Sequence, residues 1–217
     1  MSSETGDENR ETSARLNAVA SYITLSSVLY YASAIVLLHV FRTDFDPGYR
    51  YLSEYARGPY GALMTSTFFA LSAGSLALTL GLWRSVSSKL RFLPGLLLWL
   101  IWACAVFLAG IYTGDLQGTP RTQIGKIHDQ MGMIGFSSAT LALPLLSLAL
   151  RWEKAWRSAW PATMLLSVVV VVCFLALDRF GQMDLGGLDQ RIFLGATLMW
   201  MWILGRKMLM IARQAKY

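Results

Sequence analysis

Charged residues are scarce in this chain of 217 residues, at 15% of the total, whereas hydrophobic residues make up 55%. A soluble domain of this size normally has about a quarter of its residues charged. Apolar stretches of roughly 20 residues, long enough to cross a bilayer, recur along the chain. The composition therefore excludes an ordinary soluble protein and predicts an all-α, polytopic membrane protein.

Cysteines and recognised catalytic motifs are also few. Cys104 and Cys173 are the two cysteines, and both lie inside apolar runs. Since no cysteine lies in a connection, neither a disulfide framework nor a thiolate metal cluster is predicted. The sequence lacks a phosphate-binding glycine loop, an HExxH motif, a nucleophile elbow and a C-x-x-C pair. No motif therefore assigns an enzyme class or a cofactor.

The chain contains six apolar runs, which span residues 18–41, 60–83, 93–112, 128–150, 159–178 and about 188–212. In hydrocarbon, backbone polar groups must bond within their own segment, so each run is predicted to be a helix. Residues 1–17 are polar, carry mixed charge and lack the basic-then-apolar pattern of a signal peptide. We therefore expect a disordered polar tail over 1–17 and one six-helix bundle over 18–217.

Basic residues are distributed unevenly over the connections. Twelve lie in the N-terminal tail, the second and fourth connections and the C-terminal end, against seven in the first, third and fifth connections. Because basic residues favour the cytoplasmic side, both termini are predicted inside and the odd connections outside, in a plasma (inner) membrane. The net charge of +6 then reflects topology and contact with anionic lipid, and no nucleic acid is predicted as a partner.

The first outer connection, "DFDPGYRYLSEYARGPYG", is unusually polar for so apolar a chain. Asp46 followed by Pro47 is typical of a helix start, and Gly58 followed by Pro59 is typical of a stop. Arg50 and Glu54 are four positions apart, a spacing that lets the two side chains face each other. The pattern predicts a short amphipathic helix in the outer interface with its tyrosines at headgroup level. A solvated loop with salt bridges is the alternative.

The only two histidines, His39 and His128, are both predicted near the outer face. On a helical period His128 shares a face with Gly132, Gly135 and Ala139. Small residues line helix contacts in membranes, so His128 is expected to face the bundle. Ionisable groups at this depth are costly and are usually functional or paired.

Acidic residues also concentrate on the predicted outer side, which suggests a polar site there. Neutral histidines and nearby carboxylates can act as general acid and base or bind a metal. The candidate catalytic residues are His128, Asp115, His39 and Glu54, and the metal ligands, if any, are His39, His128 and Asp115. The candidate substrate-binding residues are Asp44, Asp46, Arg50, Ser53, Tyr55, Thr119, Arg121 and Thr122. In the alternative interpretation, each histidine is a structural residue that ties a loop to a helix.

Two stretches resemble a known family. "DFDPGYRYLSEYARGPYG" before one apolar helix and "GTPRTQIGKIH" at the start of another are similar to the prokaryotic membrane family known as domain of unknown function 998, over roughly residues 20–212. The motif residues that carry the resemblance are Ser53, Glu54, Tyr55, Gly58, Gly61, Asp115, Thr122, Gly125 and His128. The resemblance implies a six-helix bacterial or archaeal membrane protein and brings no settled activity or cofactor.

Three functions follow from this reading. An enzyme would act on a lipid or isoprenoid-like substrate, because a site at this depth is reached from the bilayer; Ser53, Thr119 and Thr122 are then candidate nucleophiles. A binding or transport protein would hold a lipid or small molecule without chemistry, although spans that are nearly uncharged at mid-depth argue against ion-coupled transport. An accessory subunit would dock on another membrane protein, of unknown identity, through its outer loops.

The orientation is tested by introduced cysteines. Cysteines at Ser53 and Thr119 are expected to react with an impermeant thiol reagent applied from outside the cell, and a cysteine at Ser87 is expected not to react. The reverse labelling pattern would move the polar face to the cytoplasm.

Overall fold

The computed structural model describes residues 2–214, and side chains from residue 11 onwards. These residues form six α-helices: α1 Ser2–Phe41, α2 Gly61–Ser85, α3 Lys89–Ile111, α4 Gln123–Leu150, α5 Trp160–Gln182 and α6 Gly186–Gln214. Six segments, one in each of these helices, are long and apolar enough to cross a membrane. The predicted all-α protein with six candidate spans is confirmed, and α6 continues unbroken through Arg206 and Lys207.

The start of α1 differs from the expected boundary. The helix begins at Ser2, so the structure has helix where a disordered tail was expected, apart from Met1, which lies outside the described residues. Arg15 forms an ion pair with Glu11 one turn earlier at 2.6 Å, and Ala14 is buried. Such i,i+4 pairs stabilise a helix, which explains why a polar sequence continues the first span.

The start of α4 also precedes the expected position. Thr122 caps this helix, since its hydroxyl oxygen accepts a hydrogen bond from the Gly125 N–H at 3.0 Å. The cap satisfies one of the backbone donors that a helix leaves free at its first turn. His128 consequently lies in the second turn of α4 rather than at its start.

Consecutive helices pack side by side in chain order, and α6 closes the ring against α1. The centre contains three tryptophans in contact: the Trp99 ring stacks on Trp102 at 5.7 Å and lies tilted against Trp200 at 5.2 Å, between ring centroids. The indole N–H of Trp200 donates to Ser147 Oγ at 2.9 Å, which satisfies a polar group that burial would otherwise leave unpaired. These rings fill the middle of the bundle.

Small residues set the closest helix contacts, as the sequence predicted for α4. A Cβ added at Gly135 would lie 3.4 Å from the Trp102 ring and 3.5 Å from Ala105, so this face of α4 packs on α3. Thr24 on α1 donates to the backbone carbonyl of Gly74 on α2 at 3.2 Å. Close backbone approach of this kind is the usual contact between helices in membranes.

The connections at residues 42–60, 112–122 and 183–185 contact one another at one end of the bundle, and we call them the cap. Within the cap, Leu52–Ala56 forms a 3₁₀ helix whose Leu52, Glu54 and Tyr55 side chains are buried. A short helix is thus present in the first connection, but its Tyr55 packs inside the protein rather than at the surface. The reason is that the N-terminus of α6 packs beneath the connection, where the Leu188 N–H donates to the Gly48 carbonyl at 2.9 Å.

The same contact predicts a strong constraint at Gly187. An added Cβ there would overlap the backbone carbonyl oxygens of Arg50, Gly48 and Pro47. Gly187→Ala is therefore expected to lower the free energy of unfolding by about 2 kcal/mol through overpacking. Thermal unfolding in detergent measures the effect.

Gly181 in α5 provides the control, because an added Cβ there meets no atom within 4 Å. Gly181→Ala should leave the melting temperature unchanged or raise it slightly, since alanine favours helix over glycine. Equal melting temperatures for the two variants would contradict the packing argument.

Candidate functional site

The carboxylate of Glu54 joins two parts of the cap. The side chain is 2% exposed and accepts hydrogen bonds from Arg50 Nη1 at 2.8 Å, from the Tyr51 N–H at 3.1 Å and from the Gln117 N–H at 3.0 Å. The Arg50–Glu54 pairing predicted from their spacing is confirmed. Because the Gln117 donor comes from the third connection, Glu54 holds the first and third connections together rather than standing free for catalysis.

Two further arginines bind backbone carbonyls in the cap. Arg57 donates to the carbonyl oxygens of Gly114 at 2.8 Å and Thr113 at 3.2 Å. Arg42 donates to the Arg57 carbonyl at 2.7 Å and to both carboxylate oxygens of Asp44 at 2.8 and 2.9 Å. The hydrogen bonds from Arg42 hold the pKa of Asp44 below its usual value. Asp44 is thus an ion-pair partner within the cap.

Asp115 stabilises the start of α4. Its carboxylate accepts from the Thr122 N–H at 2.6 Å, from the Thr122 hydroxyl at 3.1 Å and from Arg57 at 3.2 Å. The Thr122 N–H, followed by the Thr122 hydroxyl and Arg57, lowers the pKa of Asp115 below its usual value. Among the described residues Asp115 forms no hydrogen bond to His128, so these two candidate catalytic residues are not directly bonded.

Several other candidate residues close local turns. Asp46 accepts from the Gly48 N–H at 2.8 Å, and Thr119 donates to the Leu116 carbonyl at 2.7 Å. Arg121 lies 3.4 Å from Asp129 on the surface. The structure does not bring these side chains, or Thr122, to either of the two cavities described below.

His39 ties α1 to α6. Its Nδ1 donates to the Ile35 carbonyl at 2.6 Å, and its Nε2 accepts from Arg191 Nε at 3.0 Å. Both ring nitrogens are therefore engaged, in bonds to α1 itself and to α6 rather than to a loop. Within the described part of the chain no three His, Cys, Asp or Glu side chains are placed to share a metal ion, so the set His39, His128 and Asp115 does not assemble.

His128 is held differently. The side chain is 7% exposed, and its Nδ1 donates to the carbonyl oxygens of Ala109 at 3.0 Å and Tyr112 at 2.7 Å. Because carbonyl oxygens only accept, the proton of the neutral ring lies on Nδ1 and the lone pair lies on Nε2. Nε2 has no hydrogen-bond partner among the described residues, and an added Cβ at neighbouring Gly114 would lie 3.1 Å from it.

A cavity of about 50 Å³, which we call the His128 cavity, lies between the helices next to the cap. Its polar lining comprises His128, Tyr31, Ser53 and Gln190. The hydroxyls of Tyr31 and Ser53 have no hydrogen-bond partner among the described side chains, whereas Gln190 Oε1 accepts from the Leu52 N–H at 2.5 Å. The apolar lining includes Phe68, Leu71, Trp102, Val106 and Phe136.

A second, larger space of about 530 Å³ runs between α1 and α6, and we call it the α1–α6 groove. Its walls are apolar, and its polar end is formed by His39 and Arg191. Ala32, Val36 and Val40 are exposed, so the groove opens on the face of the bundle that meets lipid. Tyr31 and Leu194 line both spaces and form a shared wall between the groove and the His128 cavity.

Comparison with known proteins identifies the family of the chain. The sequence profile of the family described as "Protein of unknown function (DUF998)" matches residues 24–207. No curated protein and no solved structure matches the chain. The match carries no substrate or activity, so a function must be argued from the site.

The lowered pKa of Asp115 predicts a pH dependence of stability. A carboxylate whose pKa is depressed by folding stabilises the fold above its unfolded pKa of about 3.9, and this stabilisation is lost as the pH falls through the folded-state pKa. Asp115→Asn is expected to melt at a lower temperature than wild type at neutral pH, because the ion pair with Arg57 is lost. The difference should shrink as the pH is lowered below about 4.

Melting temperatures of both proteins, measured in detergent over this pH range, check the prediction. The other cap carboxylates are the same in the two proteins, so the difference isolates Asp115. Parallel curves at all pH values would contradict an ionised, hydrogen-bonded Asp115.

Proposed function

The chain belongs to the family described as protein of unknown function (DUF998), and from the geometry of this member we propose that it binds a lipid- or isoprenoid-like amphiphile at the His128 cavity. The polar group of the ligand meets Nε2 of His128, which accepts its hydrogen bond or its proton. The proposal places the protein in a prokaryotic plasma membrane, as the family resemblance implies, and the uneven distribution of basic residues supports an orientation with the cap on the outer side.

The observation that carries the proposal is the orientation of His128. Two backbone carbonyls fix Nδ1, and Nε2 is left without a partner among the described residues. A histidine held by a carbonyl at one nitrogen, with the other nitrogen free, has the arrangement of a general base or a ligand-binding group. The free hydroxyls of Tyr31 and Ser53 line the same cavity and add hydrogen-bonding capacity for the ligand.

The surroundings of His128 favour an amphiphile over a water-soluble ligand. The cavity is mostly apolar with a few convergent polar groups, which is the usual composition of a small-molecule site. The adjoining α1–α6 groove falls within the volume range of ligand pockets, about 300–1,000 Å³, and opens toward lipid. Tyr31 and Leu194 line both spaces, so a ligand that enters the groove from the bilayer lies directly beside the His128 cavity.

Gly132 allows the cavity to be filled without disturbing the core. It lines the cavity, and an added Cβ meets no atom within 4 Å. We expect Gly132→Val to fold as wild type and to lose lipids that co-purify with wild type, because the new side chain occupies the cavity. Gly181→Val is the matched control, since its Cβ also meets open space.

The measurement is mass spectrometry of lipids extracted from the purified proteins, compared with the bulk membrane. A lipid species enriched on wild type and on Gly181→Val, and lost from Gly132→Val, is the expected result. Identical profiles for all three proteins and the bulk membrane would contradict binding at this cavity.

His128→Gln separates binding from chemistry. Glutamine keeps a polar side chain but cannot act as a base. If the protein modifies its ligand, cells with wild type and cells with His128→Gln will differ in lipid composition although both proteins are equally abundant. If it only binds the ligand, the cellular lipids will agree while the lipids co-purifying with the variant decrease.

A further inference from the structure

Arg191, near the start of α6, differs from the three buried or half-buried arginines of the first connection in its charge balance. Arg42, Arg50 and Arg57 each lie within 4 Å of a carboxylate, on Asp44, Glu54 and Asp115 respectively. Arg191 has no carboxylate within that distance among the described residues, although its side chain is partly buried. A partly buried cation without a counter-charge is costly, and an anion beside it would remove that cost.

The existing hydrogen bonds of Arg191 do not supply that charge. Its Nε donates to His39 Nε2 at 3.0 Å, its Nη1 donates to the carbonyls of Arg50 at 2.7 Å and Gly187 at 2.8 Å, and its Nη2 donates to the Tyr55 hydroxyl at 3.3 Å. All four acceptors are neutral groups. A guanidinium has five N–H donors, so one donor on Nη2 remains for another partner.

The α1–α6 groove provides, beside this cation, an apolar surface about as long as one leaflet of a bilayer is thick. On α1 it runs from Tyr31 to Val40, nine residues apart, which is about 14 Å along a helix. The hydrocarbon core of a bilayer is about 30 Å thick, so the groove covers close to one leaflet. Arg191 and His39 lie at the end of the groove nearest the cap.

We propose that the α1–α6 groove holds an anionic lipid of the leaflet at the cap end, with its headgroup anion at Arg191 and one hydrocarbon chain along α1 and α6. The proposal rests on the proposed function, because it names the charge and the binding position of the amphiphile that approaches the His128 cavity. Arg191 binds the negatively charged headgroup of the lipid, whereas His128 binds the polar group of the ligand that enters the His128 cavity.

Native mass spectrometry of the purified protein with defined lipids tests the proposal. The probes are phosphatidylglycerol, which is anionic, and phosphatidylcholine, which is zwitterionic. We expect wild type to retain one phosphatidylglycerol in preference to phosphatidylcholine by at least about tenfold, because charge-assisted hydrogen bonds contribute more than that factor in affinity.

Two substitutions of Arg191 test whether its charge causes the preference for phosphatidylglycerol. Arg191→Gln should bind both lipids equally, and Arg191→Lys should keep part of the preference because the charge is retained. Since Arg191 also holds the cap, Gly195→Phe provides a second test that leaves its bonds intact: Gly195 lines the groove, and an added Cβ meets no atom within 4 Å. Gly195→Phe should lose the bound phosphatidylglycerol, and Gly181→Phe should keep it.

A matched charge control lies at the opposite end of the bundle. Arg206 and Lys207 line a separate pocket there, so Arg206→Gln should leave the preference unchanged. Loss of the preference in Arg206→Gln but not in Arg191→Gln would overturn the proposal. Equal retention of the two lipids by wild type would also overturn the proposal. In that case the protein would bind a lipid in the groove without selecting its charge, and the proposed function would still hold. If wild type retains neither lipid, and the co-purifying lipids of Gly132→Val are the same as those of wild type, both the lipid site in the groove and the proposed function are contradicted.

Discussion

The buried carboxylate of Glu54 is the interaction on which the cap depends. It accepts hydrogen bonds from the first connection and from the Gln117 N–H of the third, so it fixes the distance between them. Removing one partner of a buried ion pair is strongly unfavourable, which explains why the cap places an arginine and two backbone donors around this group. The neighbours of Glu54 in the chain then take fixed positions: Ser53 lines the His128 cavity, and Tyr55 contacts Arg191.

The hydrogen-bond requirements of the cap also determine which polar groups remain free. Irregular backbone near a membrane must satisfy its carbonyls and N–H groups within the protein. Arginines supply donors to the carbonyls, and Asp115 and Thr122 supply acceptors to the N–H groups at the start of α4. Most polar side chains in the connections are used in this way. Three of the residues that line the His128 cavity keep a polar group without a hydrogen-bond partner among the described residues: Nε2 of His128 and the hydroxyls of Tyr31 and Ser53.

Hydropathy and helical periodicity predicted the parts of the structure that depend on local sequence. Apolar length predicted the six helices, and the small residues after His128 predicted that it faces the bundle. The same reasoning could not tell which acids and hydroxyls of the connections are available to bind a ligand. Asp115 and Thr122, for example, are engaged in hydrogen bonds that form only when the connections fold together. Tyr31, Gln190 and Arg191 were missed because they lie in or at the ends of apolar runs, and only the closure of α6 on α1, about 150 residues away, brings them to the site.

The tautomer of His128 tests the central claim, which is that backbone carbonyls hold Nδ1–H and leave Nε2 free to meet a ligand. The chain has two histidines, so a sample labelled with nitrogen-15 only at histidine gives two imidazole spin systems, and His39→Gln assigns them. At pH 8 the account predicts that His128 carries its proton on Nδ1 and that its Nε2 is unprotonated. A His128 ring protonated on Nε2, with Nδ1 bare, would contradict the account.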